Sequence, residues 1–424
     1  MDLAKIYSIF KRSKGICTDT RKIEKGIVFL ALKGNSFNGN RFVSEAFSKG
    51  ASYAIVDDQD AVIDDRCILV NDALKTLQQL AKFHSNRIHI PLIAMTGSNG
   101  KTTTKELLVS ILQQKYNVLY TQGNLNNHIG VPLTILRMKP EHELAVIEMG
   151  ANHQGEIHQL CQIAEPDYGL ITNIGNAHLE GFGGREGVIK GKTELYRYIA
   201  DNGRLLFVNE QDDLLRKYSR EIPRVFYGAE KNNIHLISGS PFITFQFNNK
   251  EVETQLTGVY NFQNITAAVG VGQYFRIPGH LIIDSVKHYA PDNNRSQLIK
   301  SGTNTIILDS YNANPTSVKA ALKNLMNYNS SHNSKVVALG DMLELGNESK
   351  DFHKEILQIL NEYKFDKVIL VGPIFSQVAE NSKYVTCNNP EEAVKYLKEH
   401  PVSDSVLLIK GSRGIQMEKI LKSF

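Results

Sequence analysis

Between residues 94 and 104 the chain reads Ala94-Met-Thr-Gly-Ser-Asn-Gly-Lys-Thr-Thr-Thr104. The apolar run Leu92–Met95 precedes this stretch, and a helix-like pattern over Thr103–Lys115 follows it. Binding a phosphate needs backbone N–H groups turned inward with a helix N-terminus behind them. Gly97 and Gly100 let the backbone approach an anion without Cβ clashes. Lys101 is placed to reach β- and γ-phosphates, and the Thr102 hydroxyl to ligate Mg²⁺. Ser98, Asn99 and Thr103 complete the loop. The strict pattern G-x-x-x-x-G-K-[ST] would put its first glycine where Met95 stands, so the match is partial. The plainer alternative is a glycine turn with a solvated lysine. The order strand, loop, Lys-Thr, helix favours nucleotide binding, but the loop specifies no reaction.

Other residues with usable chemistry sit after apolar runs. Glu148 ends Leu-Ala-Val-Ile-Glu, and a carboxylate at the C-terminal end of a parallel strand faces the crevice where α/β ligands bind. It is either a Mg²⁺ ligand or a strand-end surface residue. Asn173-Ile-Gly-Asn-Ala-His178 follows another strand candidate, placing His178 on the same rim. Lys190 and Lys192 are read as opening a helix, and nothing local distinguishes them from solvated lysines. Asp309-Ser-Tyr-Asn-Ala-Asn-Pro315 offers acceptors and donors for a ribose or base, or simply forms a turn. Lys410-Gly-Ser-Arg413-Gly suits an anionic group or a turn.

Short apolar runs alternating with helical patterns must position these residues. Ile27–Leu32, Tyr53–Val56 and Cys67–Val70 read as strands of a small α/β unit, with a helix over Asn71–Arg87 and a loop over Lys33–Arg41. A second unit carries Leu92–Met95, Val118–Tyr120, Leu144–Glu148, Tyr168–Thr172, Arg204–Val208 and Arg224–Tyr227. Strand–helix alternation implies right-handed crossovers and a mostly parallel sheet. Ile234–Val259 has period-two alternation and reads as an antiparallel extension, followed by a helix over Asn261–Phe275. Pro278–Arg295 holds several chain breaks and reads as a boundary segment. A third α/β unit follows, with strands at Thr305–Leu308, Lys335–Leu339, Lys367–Val371, Tyr384–Thr386 and Ser405–Ile409. The expected division is 1–90, 91–293 and 294–424.

Composition agrees with that count. At about 150 residues per domain, 424 residues suggest roughly three domains. Hydrophobic residues at 42% and charged residues at 22% exclude a disordered or low-complexity chain. A net charge of +4 gives no reason to expect a nucleic-acid partner or a membrane surface. The 4 cysteines, Cys17, Cys67, Cys161 and Cys387, form no C-x-x-C pair, which argues against a zinc site or a disulfide framework. No apolar run approaches the ~18 residues of a membrane-spanning helix, and the N-terminus lacks a secretory pattern. A cytoplasmic protein without membrane insertion is expected.

Jointly, these blocks resemble the Mur ligase family, the ATP-dependent amide ligases of peptidoglycan synthesis. T-G-[ST]-x-G-K-T is Thr96–Thr102, which accounts for the missing glycine. The family's strand-end Glu matches Glu148, N-x-G-x-A-H-L matches Asn173–Leu179, and G-x-x-N-x-x-N matches Gly258–Asn264. Gly123–Leu133, Asp309–Ser317, Ala338–Gly346 and Lys410–Gly414 resemble the branch that adds D-alanyl-D-alanine. Within these matches His128 stands where that branch often has Glu, and it is given no role. The family's D-G-H is Asn38-Gly39-Asn40, and its G-R-x-E is Asn294-Arg295-Ser296-Gln297.

The resemblance implies a three-domain α/β architecture: a small N-terminal domain, a central phosphate-loop domain and a C-terminal Rossmann-like domain. It implies ATP and Mg²⁺ as cofactors, and UDP-N-acetylmuramoyl-tripeptide and D-alanyl-D-alanine as partners of a monomer. Lys101, Glu148, His178 and Lys192 would be catalytic. Thr102, Glu148, His178 and Lys192 would ligate metal, with Lys192 matching a lysine that relatives carry as a carbamate. Gly97 to Thr103, Asn261, Asn264, Arg295, Asp309 and Tyr311 would hold the nucleotide. Asp19, Thr20 and Arg21 would contact the UDP end. Asn312, Asn314, Lys410 and Arg413 would contact the other substrates.

Overall fold

The computed structural model describes every residue except Met1, Asn35, Ser330, Ser331 and Asn333. Its framework is three mainly parallel sheets laid out in chain order. The first contains β1 (Ile16–Cys17), β2 (Val28–Leu30), β5 (Tyr53–Val56) and β6 (Cys67–Leu69), side by side in that order and all parallel. Two short strands, β3 (Lys33–Gly34) and β4 (Phe37–Asn38), form a hairpin within Lys33–Arg41, which corrects the reading of that stretch as loop. Two-residue strands are too short to show a period in sequence; Asn35, in the same stretch, lies outside the described residues.

The second sheet uses β7 (Leu92–Thr96), β8 (Val118–Tyr120), β9 (Leu144–Glu148), β10 (Tyr168–Ile171), β11 (Leu205–Asn209) and β12 (Arg224–Tyr227). Their spatial order is β12-β11-β10-β7-β9-β8, all parallel. The strand β7 is buried along its whole length, as a near-continuous apolar run in the middle of a parallel sheet must be. After β7 the chain moves toward β8, and after β10 it moves the other way toward β11. The loops following β7 and β10 therefore part at a topological switch point, the place where α/β sheets bind ligands.

The alternating stretch forms β13 (Ile234–Ser238), β14 (Thr244–Phe247) and β15 (Lys250–Glu253), an antiparallel sheet of its own. Ile234, Phe245 and Phe247 pack in one core with Ile93 and the helix Tyr260–Tyr274. Pro278–Arg295 is not merely a boundary, because Gly279–His288 is a helix that buries Ile282, Ser285 and Val286. The Pro-Gly pair marks the entrance of this helix.

The third sheet contains β16 (Gln297–Ser301), β17 (Asn304–Asp309), β18 (Ser334–Gly340), β19 (Lys367–Val371), β20 (Val385–Cys387) and β21 (Ser405–Lys410), ordered β16-β17-β21-β18-β19-β20. All pairings are parallel except β16 with β17. The edge strand β16 is absent from the sequence reading; its signal is the Gly302-Thr303 turn, with Gly302 at φ +58°.

The first and second units share a core in which Leu77 and Leu80 of the helix Ala73–Ile88 join Val131, Ile135 and Ile157. Among the described residues, no helix is long and apolar enough to cross a membrane.

Candidate active site

A cavity of about 950 Å³ opens where the second and third units face each other. The second unit lines it with Ser98 to Lys101, Thr103, Glu148, His178, Asn261 and Asn264, and the third with Arg295, Asp309, Tyr311, Asn312, Asn314, Lys410 and Arg413. Asp19, Thr20 and Arg21 do not line it. Asp19 instead caps the short turn Thr20–Lys22 and pairs with Arg21 at 2.8 Å, which holds its carboxyl down at about 2.

The loop after β10 grips the loop after β7. Ser98 N donates to Asn173 O at 3.0 Å, and Asn99 N to Asn173 Oδ1 at 3.0 Å. Thr172 Oγ1 and Asn173 Nδ2 both donate to Asn99 O, at 2.7 and 3.0 Å. The amides of Ser98 and Asn99 are thus engaged by protein. The donors left for an anion are those of the first turn of the helix Lys101–Leu112, which have no intrahelical acceptor. Gly97 sits at φ +149° and Gly100 at φ +78°. A Cβ on Gly100 would stand 2.3 Å from Asn264 Oδ1. Lys101 arches back over the loop and donates to Gly97 O at 2.7 Å. Burial pushes its ammonium down to about 8, against the pull of Glu148 and with added repulsion from Arg295.

Glu148 is 1% exposed. Its Oε1 accepts from Asn126 Nδ2 at 2.8 Å and from Thr102 Oγ1 at 3.3 Å, while its Oε2 is buried without a partner. An unpartnered buried carboxylate oxygen beside a hydroxyl fits a hard cation such as Mg²⁺, which takes oxygen ligands. Lys192 is fully buried, donates to Ala151 O at 3.2 Å and lies 5.1 Å from the Phe182 ring centroid. Burial, then Lys101, drives its amine well below the usual lysine range, against Glu156 and Glu194. Lys190 and Lys192 lie in the last turn of the helix Arg185–Lys192, not at its start. The helix begins after Gly183-Gly184. His178, left-handed at φ +55°, brings Nδ1 within 2.5 Å of Glu344 Oε2 from the third unit.

On the opposite wall Asp309 accepts from Lys410 Nζ at 2.6 Å and from Ser296 N at 3.2 Å. Lys410 is 2% exposed and also donates to Asn312 O at 3.1 Å, so Asp309 already neutralises it. Lys410 lines the cavity as the partner of Asp309. Arg413 is held by Glu418 at 2.8 Å and remains largely exposed. The Arg295 guanidinium lies 3.6 Å from the Tyr311 ring centroid, with its Nε buried and unpartnered. Asn314 caps the helix Pro315–Met326 and donates across the cavity to Asn99 Oδ1 at 2.7 Å. Asn264 Nδ2 donates to Asn261 Oδ1 at 2.8 Å, and Asn261 Nδ2 to Thr257 O at 2.9 Å. These two amides brace one another beneath the loop.

Sequence reasoning assigned no role to Asn126, Asn173 or Glu344. All three fall inside quoted motif blocks, which was the available signal. Their work is to hold other site residues, and spacing along the chain does not reveal that.

A phosphate loop at a parallel-sheet switch point, roofed by a second α/β unit carrying Asp309 and Arg295, defines a nucleotide-binding α/β protein with an interdomain site. The family models agree along the chain. "Mur ligase family, catalytic domain" matches residues 12–94, "Mur ligase middle domain" residues 95–272, and "Mur ligase, glutamate ligase domain" residues 294–413. The chain belongs to the Mur ligase family. It is 36% identical to the UDP-N-acetylmuramoyl-tripeptide--D-alanyl-D-alanine ligase of Bacillus subtilis, over 96% of this chain and 92% of that protein. It is also similar to the crystal structure of MurF from Acinetobacter baumannii, with a TM-score of 0.84 at 35% identity, covering 96% of this chain and 92% of that one. A MurF ligase from Thermotoga maritima, solved in complex with ADP, matches with a TM-score of 0.84 at 30% identity, covering 98% and 97%.

Proposed function

We propose that this protein joins D-alanyl-D-alanine to UDP-N-acetylmuramoyl-tripeptide with ATP, giving the UDP-pentapeptide, ADP and phosphate in peptidoglycan synthesis. One observation carries this reading. The 36% identity to a ligase of that name runs along the whole chain, through blocks whose residues Asn126, Asp309, Asn314 and Glu344 meet at one cavity. The units 1–90, 91–293 and 294–424 would hold, respectively, the UDP end, the ATP phosphates, and the remainder of the nucleotide with the dipeptide.

A carboxylate is a poor acyl donor and must be activated. Its oxygen attacks the γ-phosphorus and the bond to ADP breaks, giving an acyl phosphate. The dipeptide amine then attacks the carbonyl carbon, loses a proton, and expels phosphate as the amide forms. Phosphoryl transfer asks the protein for positioning and charge neutralisation. Lys101 and the amides at the start of its helix hold the β- and γ-phosphates. Thr102 Oγ1 and the unpartnered Oε2 of Glu148 would supply oxygen ligands for one Mg²⁺, and His178, through a ring nitrogen, would hold a second together with Lys192. A cation held there would supply neutralisation of the charge that builds on the transferring phosphoryl group. Lys192 contributes oxygen if carbamylated, a modification that needs the neutral amine its burial favours. Arg295, Tyr311, Asp309, Asn261 and Asn264 position the nucleotide. Asn312, Asn314 and Arg413 face the other substrates, Lys410 acts through Asp309, and Asp19, Thr20 and Arg21 serve the UDP end from outside the main cavity.

In this reading the enzyme works in the cytoplasm as a monomer; the supply of both cavity walls by one chain supports a site that needs no second copy. The test is mass spectrometry of the product from UDP-tripeptide, D-Ala-D-Ala and Mg-ATP. A UDP-pentapeptide is expected. Its absence, or product formation with a free amino acid in place of the dipeptide, overturns the reading.

A further inference from the structure

The segment 289–296, between the helix Gly279–His288 and β16, joins the second and third units, and an acidic side chain far from it in sequence holds it. Glu106 lies on the helix Lys101–Leu112, a little over one turn beyond Lys101. Its Oε2 accepts from Tyr289 Oη at 2.7 Å, and both its oxygens accept from Asn293 Nδ2, at 3.0 and 2.9 Å. Lys105 Nζ, on a side chain 1% exposed, stands 3.7 Å from Oε1.

Past this clamp the backbone is unusual. Asn294 and Ser296 both adopt left-handed conformations, at φ +57° and +51°. Such conformations in residues other than glycine persist where the surroundings over-determine them. The far side supplies that constraint: Tyr311 N donates to Asn294 O at 3.2 Å, Ser296 N donates to Asp309 Oδ1 at 3.2 Å, and Ser296 Oγ meets Tyr260 Oη at 2.8 Å. Between the two left-handed residues sits Arg295, turned into the cavity over Tyr311 with Nε unpartnered.

We propose that Glu106 is a positioning residue: its clamp on Tyr289 and Asn293 ties the joint to the phosphate-loop helix and so presents Arg295 to the bound nucleotide. The proposal rests on the reading that the cavity takes ATP. Glu106 does not line the cavity. It acts by fixing Arg295 relative to Lys101, because both are referred to one rigid helix.

The experiment is a double-mutant cycle in the full-length protein with Glu106→Ala, Arg295→Ala and the pair, reading Mg-ADP affinity by calorimetry and the KM of each substrate by phosphate release. Glu106→Ala is expected to weaken Mg-ADP and raise the KM for ATP about tenfold, leaving the KM for D-Ala-D-Ala within about twofold. The pair is expected to be no worse than Arg295→Ala alone, since residues acting through one another are not additive. Glu106→Gln keeps one acceptor oxygen and should recover most of the loss. If Glu106→Ala does not fold, Asn293→Ala takes its place in the cycle with the same expectation. Full additivity, or wild-type Mg-ADP affinity in Glu106→Ala, overturns the proposal while the ATP reading stands. A wild-type protein that does not bind Mg-ADP overturns both.

Discussion

Replacing Gly100 with alanine tests whether the loop geometry is what makes the site. Gly100 has φ +78°, where an L-residue with a Cβ costs about 1–2 kcal/mol. The new methyl would also stand 2.3 Å from Asn264 Oδ1, the acceptor for Thr104 Oγ1 at 3.1 Å. Moving Asn264 away loosens that bond and the 2.8 Å bond from its Nδ2 to Asn261, each worth about 1 kcal/mol. The total is roughly 3 kcal/mol. If the loop yields, the loss falls on nucleotide binding and weakens Mg-ADP up to about 100-fold, at about 1.4 kcal/mol per factor of ten. If Asn264 yields, it falls on stability and lowers the melting temperature. Calorimetric titration with Mg-ADP and a thermal melt of the same preparation separate the two. A variant with affinity within about twofold of wild type and an unchanged melting temperature refutes the reasoning, since both routes of relaxation would then be free.

Two further expectations concern buried bases. Lys192→Arg keeps a long nitrogen-ended side chain but cannot form a carbamate, so turnover should fall about 10–100-fold, the range typical of lost metal support; undiminished phosphate release would remove Lys192 from the metal site. His84 is 2% exposed, with Nε2 donating to Met138 O at 2.8 Å and Nδ1 accepting from Tyr7 Oη at 3.2 Å. Burial lowers its pKa, so between that lowered value and about 6.5 the unfolded chain binds more protons than the folded one. Its stability contribution is full above this window and is lost as pH falls through it. Urea melts from pH 7.5 to 5.5 should show that decline, and His84→Gln should flatten it; an unchanged slope in the variant would assign the decline to other groups.

Much of the framework was legible because it is written in short-range pattern. The strands β7, β9 and β10 are continuous apolar runs, and the phosphate loop is a contiguous motif between a strand and a helix. Glu148 could be placed at the rim because its position at a strand end is itself a local fact. The hairpin of β3 and β4, the helix Gly279–His288 and the edge strand β16 were not legible. Two-residue strands carry no period, a Pro-Gly pair opens a helix as readily as it ends one, and an edge strand is only half buried.

By itself the sequence determined which residue types stand at the ends of which strands, and hence that a nucleotide phosphate could be bound. Tertiary structure decided what each of those residues is free to do. Asp309 and Lys410 are 101 positions apart, yet the parallel register of β17 and β21 sets them side by side as an ion pair. Asn173 takes two loop amides, Glu344 reaches His178, and Glu106 holds the joint beside Arg295. Each of these pairings depends on which strands and helices become neighbours. That is set by burial of whole apolar faces, and the spacing of the polar residues along the chain does not encode it.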